Sequence, residues 1–471
     1  MKTLALLPLI PLLALIPGCE VGPAYRRPQV AAVDSFRGRS QAEAGSFADQ
    51  PWWQVFDDLA LKGLISEALT HNFDARLATQ RVLEYQALAG IEAASRWPTV
   101  TASGGWTRGR SSPFTAGGGG EGQNTNASLG VAWDLDLWGR LRRLNEAALA
   151  QYLGTQEARR GVYLATAAQV AQAYFQLRDL DARLAIAQST TQAFQETRDL
   201  FSQRLAGGTA SALETSRADA ALAGVAATIP DLERQIQAQE NLICLLVGRT
   251  PGPIARGGNL ADQPLPPQIP AGLPSSLLER RPDLRAAEQQ MVAANAAVGV
   301  AQANYFPTLS LTALAGGVAP GISQLFGAGK EWNINPELTL PLQSRKLKFQ
   351  KAAAVAQWEE AKVQYEAAVT GAFGEVSTLL VAYQKLAEVE VQQARSVAAY
   401  QEAVHLASLR YSAGLSNYLE VLEAQQQLFP AQNAWSQVRT SRLVAMVQLY
   451  KALGGGWNLK DPGQDGWQEP R

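Results

Sequence analysis

Residues 127–137 of the chain read ASLGVAWDLDL and alternate between apolar side chains and polar or small ones. A period of two residues is typical of a β-strand with one apolar face. The same period occurs in residues 99–107, 309–313 and 332–342. A tilted strand needs about 9–11 residues to cross a membrane. We therefore predict four strands, at about 99–110, 124–138, 308–316 and 331–342, with Gly-rich loops at 116–120 and 316–329.

Two long segments without proline, 141–204 and 346–410, follow the two predicted strand pairs and are rich in helix-forming residues. At ~1.5 Å per residue, each segment makes a helix of nearly 100 Å. Return helices are expected at 211–247 and 416–453, with a kink or break at Pro230 and Pro430. The sequence thus predicts helical hairpins at about 141–247 and 346–453, with tip turns at Gly207, Gly208 and Gly414. A coiled-coil hairpin, a helical tube and a solvated rod all fit this pattern.

The chain repeats itself over a long range, because matching residues recur at a nearly constant offset. Six residues recur 206 positions later: Arg204, Gly208, Leu213, Glu214, Ala218 and Leu222 match Arg410, Gly414, Leu419, Glu420, Ala424 and Leu428. We therefore predict two structural repeats, at 57–248 and 276–457, separated by a Pro/Gly-rich linker at 249–275 and followed by a flexible tail at 458–471.

The first 19 residues combine Lys2, an apolar run from Leu4 to Ile16, and Cys19 directly after Gly18. The apolar run is too short for a spanning helix and is typical of a signal peptide. A small residue before a cysteine favours a lipoprotein signal at 1–18, a lipidated segment at 19–56 and a covalent lipid on Cys19. The alternative is an ordinary secretory signal with an incidental cysteine.

Composition argues against several classes of protein. The formal net charge is −1, so no basic surface for nucleic acid is indicated. Only two histidines occur, His71 and His405, and no metal spacing, nucleophile elbow or phosphate loop is present. Cys244 lies in an apolar run and is expected to be buried. We therefore predict no enzyme activity, no metal and no cofactor apart from the lipid on Cys19.

Four strands cannot close a barrel, and an open sheet edge in lipid is costly. If the strands span a membrane, several chains must pool them: three chains give twelve strands, and two give eight around a narrow core. The alternatives are two ordinary β-hairpins on a soluble core, or a lipid-anchored periplasmic coiled-coil scaffold without spanning strands.

Several motifs resemble the outer membrane factors, the TolC-like exit ducts of tripartite efflux pumps, in their NodT-type lipoprotein branch. The resemblance covers essentially the whole mature chain. It rests on five stretches: Cys19 to Pro28 (CEVGPAYRRP), Trp52 to Asp58 (WWQVFDD), Asn241 to Pro251, Gly272 to Leu284 (GLPSSLLERRPDL), and Tyr411 to Gly414 leading to Leu419.

This resemblance implies an α+β membrane protein that forms a homotrimer. Four strands per chain would make one twelve-stranded transmembrane β-barrel, continued by a long periplasmic α-helical barrel. The protein would lie in the outer membrane, lipid-anchored and extending into the periplasm. Its partners would be a periplasmic membrane fusion (adaptor) protein and an inner-membrane pump of the resistance-nodulation-division class. A type I protein secretion duct is the nearest alternative.

Family members close the periplasmic tip with an aromatic residue, an arginine and carboxylates just after the glycine turn. The matching residues here are Tyr411, Ser416, Glu420 and Glu423, with Glu214 in the first half. Ser416 replaces the arginine of some members. The alternative is that these glutamates are solvated charges near helix N-termini.

Overall fold

The computed structural model describes residues 20–29, 36, 46–50, 55, 58–112, 114, 119–266, 269–272, 274–342 and 345–456. Cys19, the predicted signal peptide at 1–18 and the predicted tail at 458–471 lie outside them. The described part is a mixed helix and strand chain with nine α-helices and four strands. These are α1 Leu59–His71, α2 Phe73–Ala94, β1 Thr99–Ser111, β2 Gly120–Leu135, α3 Arg140–Ala206, α4 Ala212–Ala226, α5 Thr228–Val247, α6 Leu277–Arg280, α7 Pro282–Ala303, β3 Thr308–Ala319, β4 Lys330–Thr339, α8 Arg345–Ser412 and α9 Tyr418–Ala452.

The chain divides into two compact units, and each takes segments from both halves of the sequence. The first unit comprises the chain up to Gln29, Arg81–Gln156 and Ala286–Glu366, and it holds all four strands. The second comprises Val30–Gln80, Glu157–Arg285 and the chain from Ala367 onward. The two compact units do not coincide with the two sequential repeats, so the division into repeats stays a prediction from the sequence.

The strands of the first unit form one antiparallel sheet in the order β1-β2-β3-β4. Val100, Val131, Ala313 and Ile334 face one another across all four strands. The adjacent row is Thr99, Ala132, Thr312 and Asn335, and it points to the other face. The two-residue period of the sequence therefore separates an apolar face from a polar face. The apolar face is exposed, with Val100 68% and Ile334 63% accessible.

Asp136 lies four residues before the long helix α3 and caps its N-terminus. Its carboxylate accepts the backbone N–H groups of Leu141 (3.1 Å) and Arg142 (2.9 Å), which have no partner inside the helix. The Arg142 side chain also pairs with Asp136 at 3.3 Å. Gly139 supplies the positive φ of 79° that the turn requires.

The second unit has an apolar core with a buried polar network inside it. Asp58 caps α1 by accepting the N–H groups of Ala60 and Leu61. Its carboxylate also accepts the hydroxyl of Tyr174 at 3.0 Å and the amide of Gln263 at 2.9 Å. Burial raises the pKa of Tyr174 to about 12, so its hydroxyl keeps its proton. The buried carboxylate is thereby fully hydrogen-bonded, as a buried charge must be.

The segment that joins the two halves of the chain is tied to α9 by two arginines. Arg439 donates to the carbonyls of Leu260, Ala261 and Gln263 at 2.6–2.9 Å. Arg439 and Arg442 both pair with the buried Glu390, at 2.7 and 2.9 Å. Three carbonyl oxygens of the linker are therefore satisfied by the Arg439 side chain.

The two prolines of the return helices behave differently. The first return helix is divided between α4 and α5, and Pro230 is the third residue of α5, where a missing N–H costs little. Helix α9 runs through Pro430 without interruption, so a break there is a wrong expectation. Burial of Val421, Leu422 and Leu443 along α9 shows the packing that outweighs the lost hydrogen bond.

Candidate functional site

The hairpin turns at the ends of α3 and α8 share one backbone geometry. Gly208 and Gly414 have φ of 73° and 72°, a conformation that glycine adopts without strain. After each glycine, the next N–H returns to the helix: Thr209 donates to the Arg204 carbonyl at 2.8 Å, and Leu415 to the Arg410 carbonyl at 2.9 Å. The 206-residue repeat is therefore visible as two equivalent helix ends.

A row of side chains connects the two hairpins. Arg204 Nη1 donates to the Tyr411 hydroxyl, and its guanidinium lies 5.1 Å from the centre of the Tyr411 ring. Tyr411 contacts Tyr418 edge to face, with ring centres 5.2 Å apart. Tyr418 in turn contacts Phe201 at 4.6 Å. The contacts thus run from α3 to α8, on to α9 and back to α3.

Tyr418 is buried, as is Phe201 beside it. Its hydroxyl lies 2.5 Å from Thr197 Oγ1 and donates to Gln425 Oε1 at 3.3 Å. A phenol has one proton, so Thr197 is the donor in the shorter contact. Burial raises the pKa of Tyr418, which keeps the hydroxyl neutral at physiological pH. These contacts fix the base of the tip.

Glu214 is part of a capping box at the start of α4. It accepts the Ser211 N–H at 2.8 Å, while the Ser211 hydroxyl accepts the Glu214 N–H at 3.3 Å. The hydrogen bond from the Ser211 N–H lowers the pKa of the Glu214 carboxyl below its usual value, and the hydrogen bond from the Ser211 hydroxyl lowers it further. The carboxylate is thus charged and engaged by its own helix.

Glu420 holds the equivalent position in the second hairpin but makes a different contact. The N-cap residue Asn417 makes no side-chain capping bond. Glu420 Oε2 instead lies 3.4 Å from Arg410 Nε, across the turn that joins α8 to α9. Both side chains are exposed, so this ion pair is weak and is weakened further by salt.

The two remaining predicted gate residues make no such contacts. Glu423 is exposed, without an ion pair to any described residue. Ser416 is half-buried, and its hydroxyl has no hydrogen-bond partner among the described residues. The structure therefore brings Tyr411 and Glu420 into the contacts of the tip and leaves Ser416 and Glu423 outside them.

Sequence reasoning missed three residues of this site: Arg204, Arg410 and Tyr418. Arg204 and Arg410 recur in the repeat and end their helices as basic residues, which was the available signal. No pattern in the sequence shows that Arg204 crosses to Tyr411 while Arg410 stays within its own hairpin.

The polar face of the sheet carries three carboxylates and, among the described strand residues, no lysine or arginine. Asp134 and Glu337 share one row through Ser310. Glu331 lies in the row of Ser103 and Ser128, whose hydroxyls are 2.8 Å apart. Asp134 is 3.6 Å from Arg140, which begins α3. This face therefore has a net negative charge that a polar interior surface would present to ions.

Residues 20–29 are attached to the first unit near the start of α3. Glu20 pairs with Arg143 at 3.1 Å, and the Val21 N–H donates to the Trp138 carbonyl at 3.2 Å. Tyr25 donates to Glu288 at 3.0 Å, and Arg27 pairs with the same carboxylate. Burial raises the pKa of Tyr25. The segment that follows Cys19 is therefore held where the strands meet the long helices.

Possible metal ligands and the Cys244 thiol can be placed among the described residues. Within these ranges no three His, Cys, Asp or Glu side chains come together as a metal site requires. Cys244 is buried, and its thiol donates to the Gly252 carbonyl at 3.3 Å. No helix in the described part of the chain has the length and apolar character to cross a membrane.

Comparison with known proteins adds relatives that match nearly the whole chain. The family model "Outer membrane efflux protein" matches residues 64–249 and 273–455. The "Probable efflux pump outer membrane protein TtgC" of Pseudomonas putida is 36% identical over 93% of each chain. The "Cation efflux system protein CusC" of Escherichia coli is 32% identical over 97% of this chain and 100% of its own. The open state of the Neisseria gonorrhoeae MtrE outer membrane channel superposes with a TM-score of 0.84 at 30% identity, covering 93% of this chain and 98% of that one.

Proposed function

This chain belongs to the outer membrane efflux protein family, and from that membership we propose that it is the outer-membrane channel of a tripartite efflux system. Three chains form a passive exit duct that carries small molecules from an inner-membrane pump through the outer membrane. The duct has no catalytic step, and the pump selects the cargo. The names of TtgC and CusC, both efflux proteins, favour this reading over a type I protein secretion duct.

The observation that carries the proposal is the two-faced sheet. An exposed apolar face of four strands is unfavourable in water and favourable in lipid. The outer strands β1 and β4 have unpaired edges, which lipid does not tolerate. Because β1 and β4 run antiparallel, β4 of one chain can pair with β1 of the next. Three chains then close a twelve-stranded barrel with the carboxylate face inside. The scaffold alternative does not explain this sheet.

The tip contacts support a duct that is closed at rest and opened by a partner. Arg204 with Tyr411 and Arg410 with Glu420 join neighbouring helices through exposed polar groups. Exposed pairs contribute little individually, so a partner that binds the tip can break them. Continuous helices of 67 and 68 residues would extend the barrel as a helical tube into the periplasm.

The partners are a periplasmic adaptor protein and an inner-membrane pump of the resistance-nodulation-division class. Leu213 and Leu415 are 60% and 71% exposed at the hairpin turns. A groove of about 410 Å³ is lined by Leu213, together with Phe201, Leu419 and Arg217 among others. Apolar side chains around a groove fit an adaptor helix, which would bind there through apolar contacts.

The lipid anchor on Cys19 completes the proposal. Cys19 directly precedes Glu20, which is paired with Arg143 at the first turns of α3. A lipid at Cys19 would therefore leave the protein where the strands meet the helices, level with the inner leaflet of the outer membrane. In this arrangement the barrel inserts the protein, and the lipid assists sorting and assembly.

The experiment is reconstitution of the full-length lipidated protein in planar bilayers, with its mass measured in detergent. We expect a trimer that conducts ions. Cys19→Ser behind a cleavable signal should still be found in the outer membrane. A monomer that is released as a soluble protein by this substitution would overturn the barrel.

A further inference from the structure

At one end of the apolar face, β1 and β4 each carry a tryptophan. A cation lies two residues beyond each tryptophan, on the same face. On β1, Trp106 and Arg108 occupy successive positions of this face, and on β4 the pair is Trp332 and Lys330. Trp106 and Trp332 are 64% and 74% exposed. The side chains of Arg108 and Lys330 are exposed too, without an ion pair or hydrogen bond to another described residue. We call these four residues the tryptophan–cation pairs.

The strand register places the two pairs four residues apart. Trp332 lies in the row of Ala102, four residues before Trp106, and Lys330 lies in the row of Gly104, four before Arg108. Four residues span ~14 Å along a strand, and three strand spacings span ~14 Å across the sheet. A strand tilt of about 45° therefore brings both pairs to one level, and transmembrane barrel strands tilt by about 35–45°.

The opposite end of the apolar face is displaced in the same direction. Leu340 and Leu342 continue the apolar positions of β4 beyond its last paired residue, Thr339, and both are exposed. On β1 the face ends at Val100. Both limits of the apolar band are therefore shifted in one direction between β1 and β4, as tilted strands require. The cations then lie just outside the band, at the end farthest from the long helices.

We propose that the tryptophan–cation pairs bind the phosphate groups of lipopolysaccharide in the outer leaflet. This inference rests on the proposed function, because the sheet must span the outer membrane for the cations to meet that leaflet. Tryptophans at the limit of an apolar band are typical of the membrane interface. Arginine and lysine next to them meet phosphate with charge-assisted hydrogen bonds. A trimer offers six such cations around its circumference.

Other charges on this face support the choice of these two cations. Arg110 lies two residues beyond Arg108, opposite Glu121 of β2 on the same face. Glu121 offsets its charge, so Arg110 is left out of the site. The polar face carries only carboxylates among its charged strand residues, which excludes an anion site on that side. Of the two faces of the sheet, the apolar, lipid-facing one therefore carries the cations that can bind phosphate.

The test is native mass spectrometry of the detergent-solubilised full chain titrated with lipid A that carries two phosphates. Each cation near an anionic lipid contributes about a factor of five in affinity, so Arg108→Gln with Lys330→Gln should weaken binding about thirtyfold. The exchange Arg108→Lys with Lys330→Arg should retain it. The matched control, Arg234→Gln with Lys385→Gln, removes the same charge from exposed helix positions and should bind as the wild type does.

Two results would overturn the inference: equal binding by the Arg108→Gln, Lys330→Gln variant, or equal binding of dephosphorylated lipid A by the wild type. The same spectra give the number of chains. A wild-type protein that is not trimeric overturns the proposed function and this inference together, whereas a trimer without phosphate preference overturns the inference alone. If the double variant does not assemble, Lys330→Gln alone should weaken binding about fivefold.

Discussion

Arg204, at the end of the first long helix, donates to the hydroxyl of Tyr411, at the end of the second. The two residues are 207 positions apart and belong to different hairpins. Arg204 also lies over the Tyr411 ring, so one side chain makes both a hydrogen bond and a cation–π contact. This contact links the hairpins at their turns, next to the buried hydrogen bond between Thr197 and Tyr418.

Removing this link should open the tip. Tyr411→Phe deletes the acceptor and keeps the ring, while Arg204→Ala deletes both contacts. We expect higher single-channel conductance in planar bilayers, with the larger increase for Arg204→Ala. Arg234→Ala is the control, because Arg234 pairs with Asp231 on its own helix. Unchanged conductance in both variants would remove the pair from the gate.

Glu420 and Glu423 should differ, although both follow the second turn. Glu420→Gln breaks the pair with Arg410 and should raise conductance, most clearly at low salt, because exposed pairs are screened. Glu423→Gln is the matched control and should conduct as the wild type does. Equal effects of the two substitutions would show that their general negative charge matters rather than the ion pair.

The contribution of the capping box to the stability of α4 can be measured separately. Ser211→Ala should lower the free energy of α4 opening by about 1 kcal/mol, as loss of an N-cap does. Hydrogen exchange of the α4 amides is the measurement. Asn417→Ala is the control, since Asn417 makes no capping bond, and it should leave the start of α9 unchanged. Equal effects at both helix starts would contradict the assigned cap.

The capping box of Ser211 and Glu214 also predicts that the hydrogen-exchange protection of α4 depends on pH. The pKa of Glu214 is lower in the folded protein than in the unfolded chain. The charged carboxylate therefore stabilises α4 at any pH above the unfolded-state pKa, and this stabilisation is lost as the pH falls through the folded-state pKa. Protection of α4 should therefore decline on acidification below about pH 4 in the wild type. Glu214→Gln should remove this decline. A decline of equal size in that variant would assign it to another group.

The polar face of the sheet should make the duct cation-selective. Glu331→Gln with Glu337→Gln removes two of the three carboxylates on this face from each chain. The reversal potential in a potassium chloride gradient should shift toward that of a non-selective pore. Glu121→Gln, on the apolar face, is the control and should leave selectivity unchanged. Selectivity lost in the control alone would contradict the assigned faces.

The strands and long helices were predictable because each rests on a local pattern. A two-residue period identifies a two-faced strand, and a proline-free run with glycine at its end identifies a long helix. The sequence predicts a kink or a break at Pro430, and the helix is not broken there because tertiary packing along α9 outweighs one missing hydrogen bond. Local preference alone does not report that packing.

The candidate site was only partly predictable, as Glu214 and Glu420 illustrate. The repeat gives them equivalent positions, yet Ser211 caps one helix while Asn417 leaves the other uncapped. The residue at the N-cap thus decides the contact: Glu214 accepts the backbone N–H of Ser211, whereas Glu420 pairs with Arg410. The contact of Arg204 with Tyr411 depends on how the hairpins pack, which no local pattern encodes.

The pooling of strands by three chains is tested most directly by disulfide cross-linking between the outer strands. Thr101→Cys on β1 is combined in turn with cysteine at each polar-face position of β4, Glu331, Asn333, Asn335, Glu337 and Thr339, in a Cys244→Ser background. We predict that at least one pairing gives cross-linked products on a denaturing gel that end at three chains. Absence of cross-links at all five positions, or a series that ends at another number, would contradict the trimeric barrel.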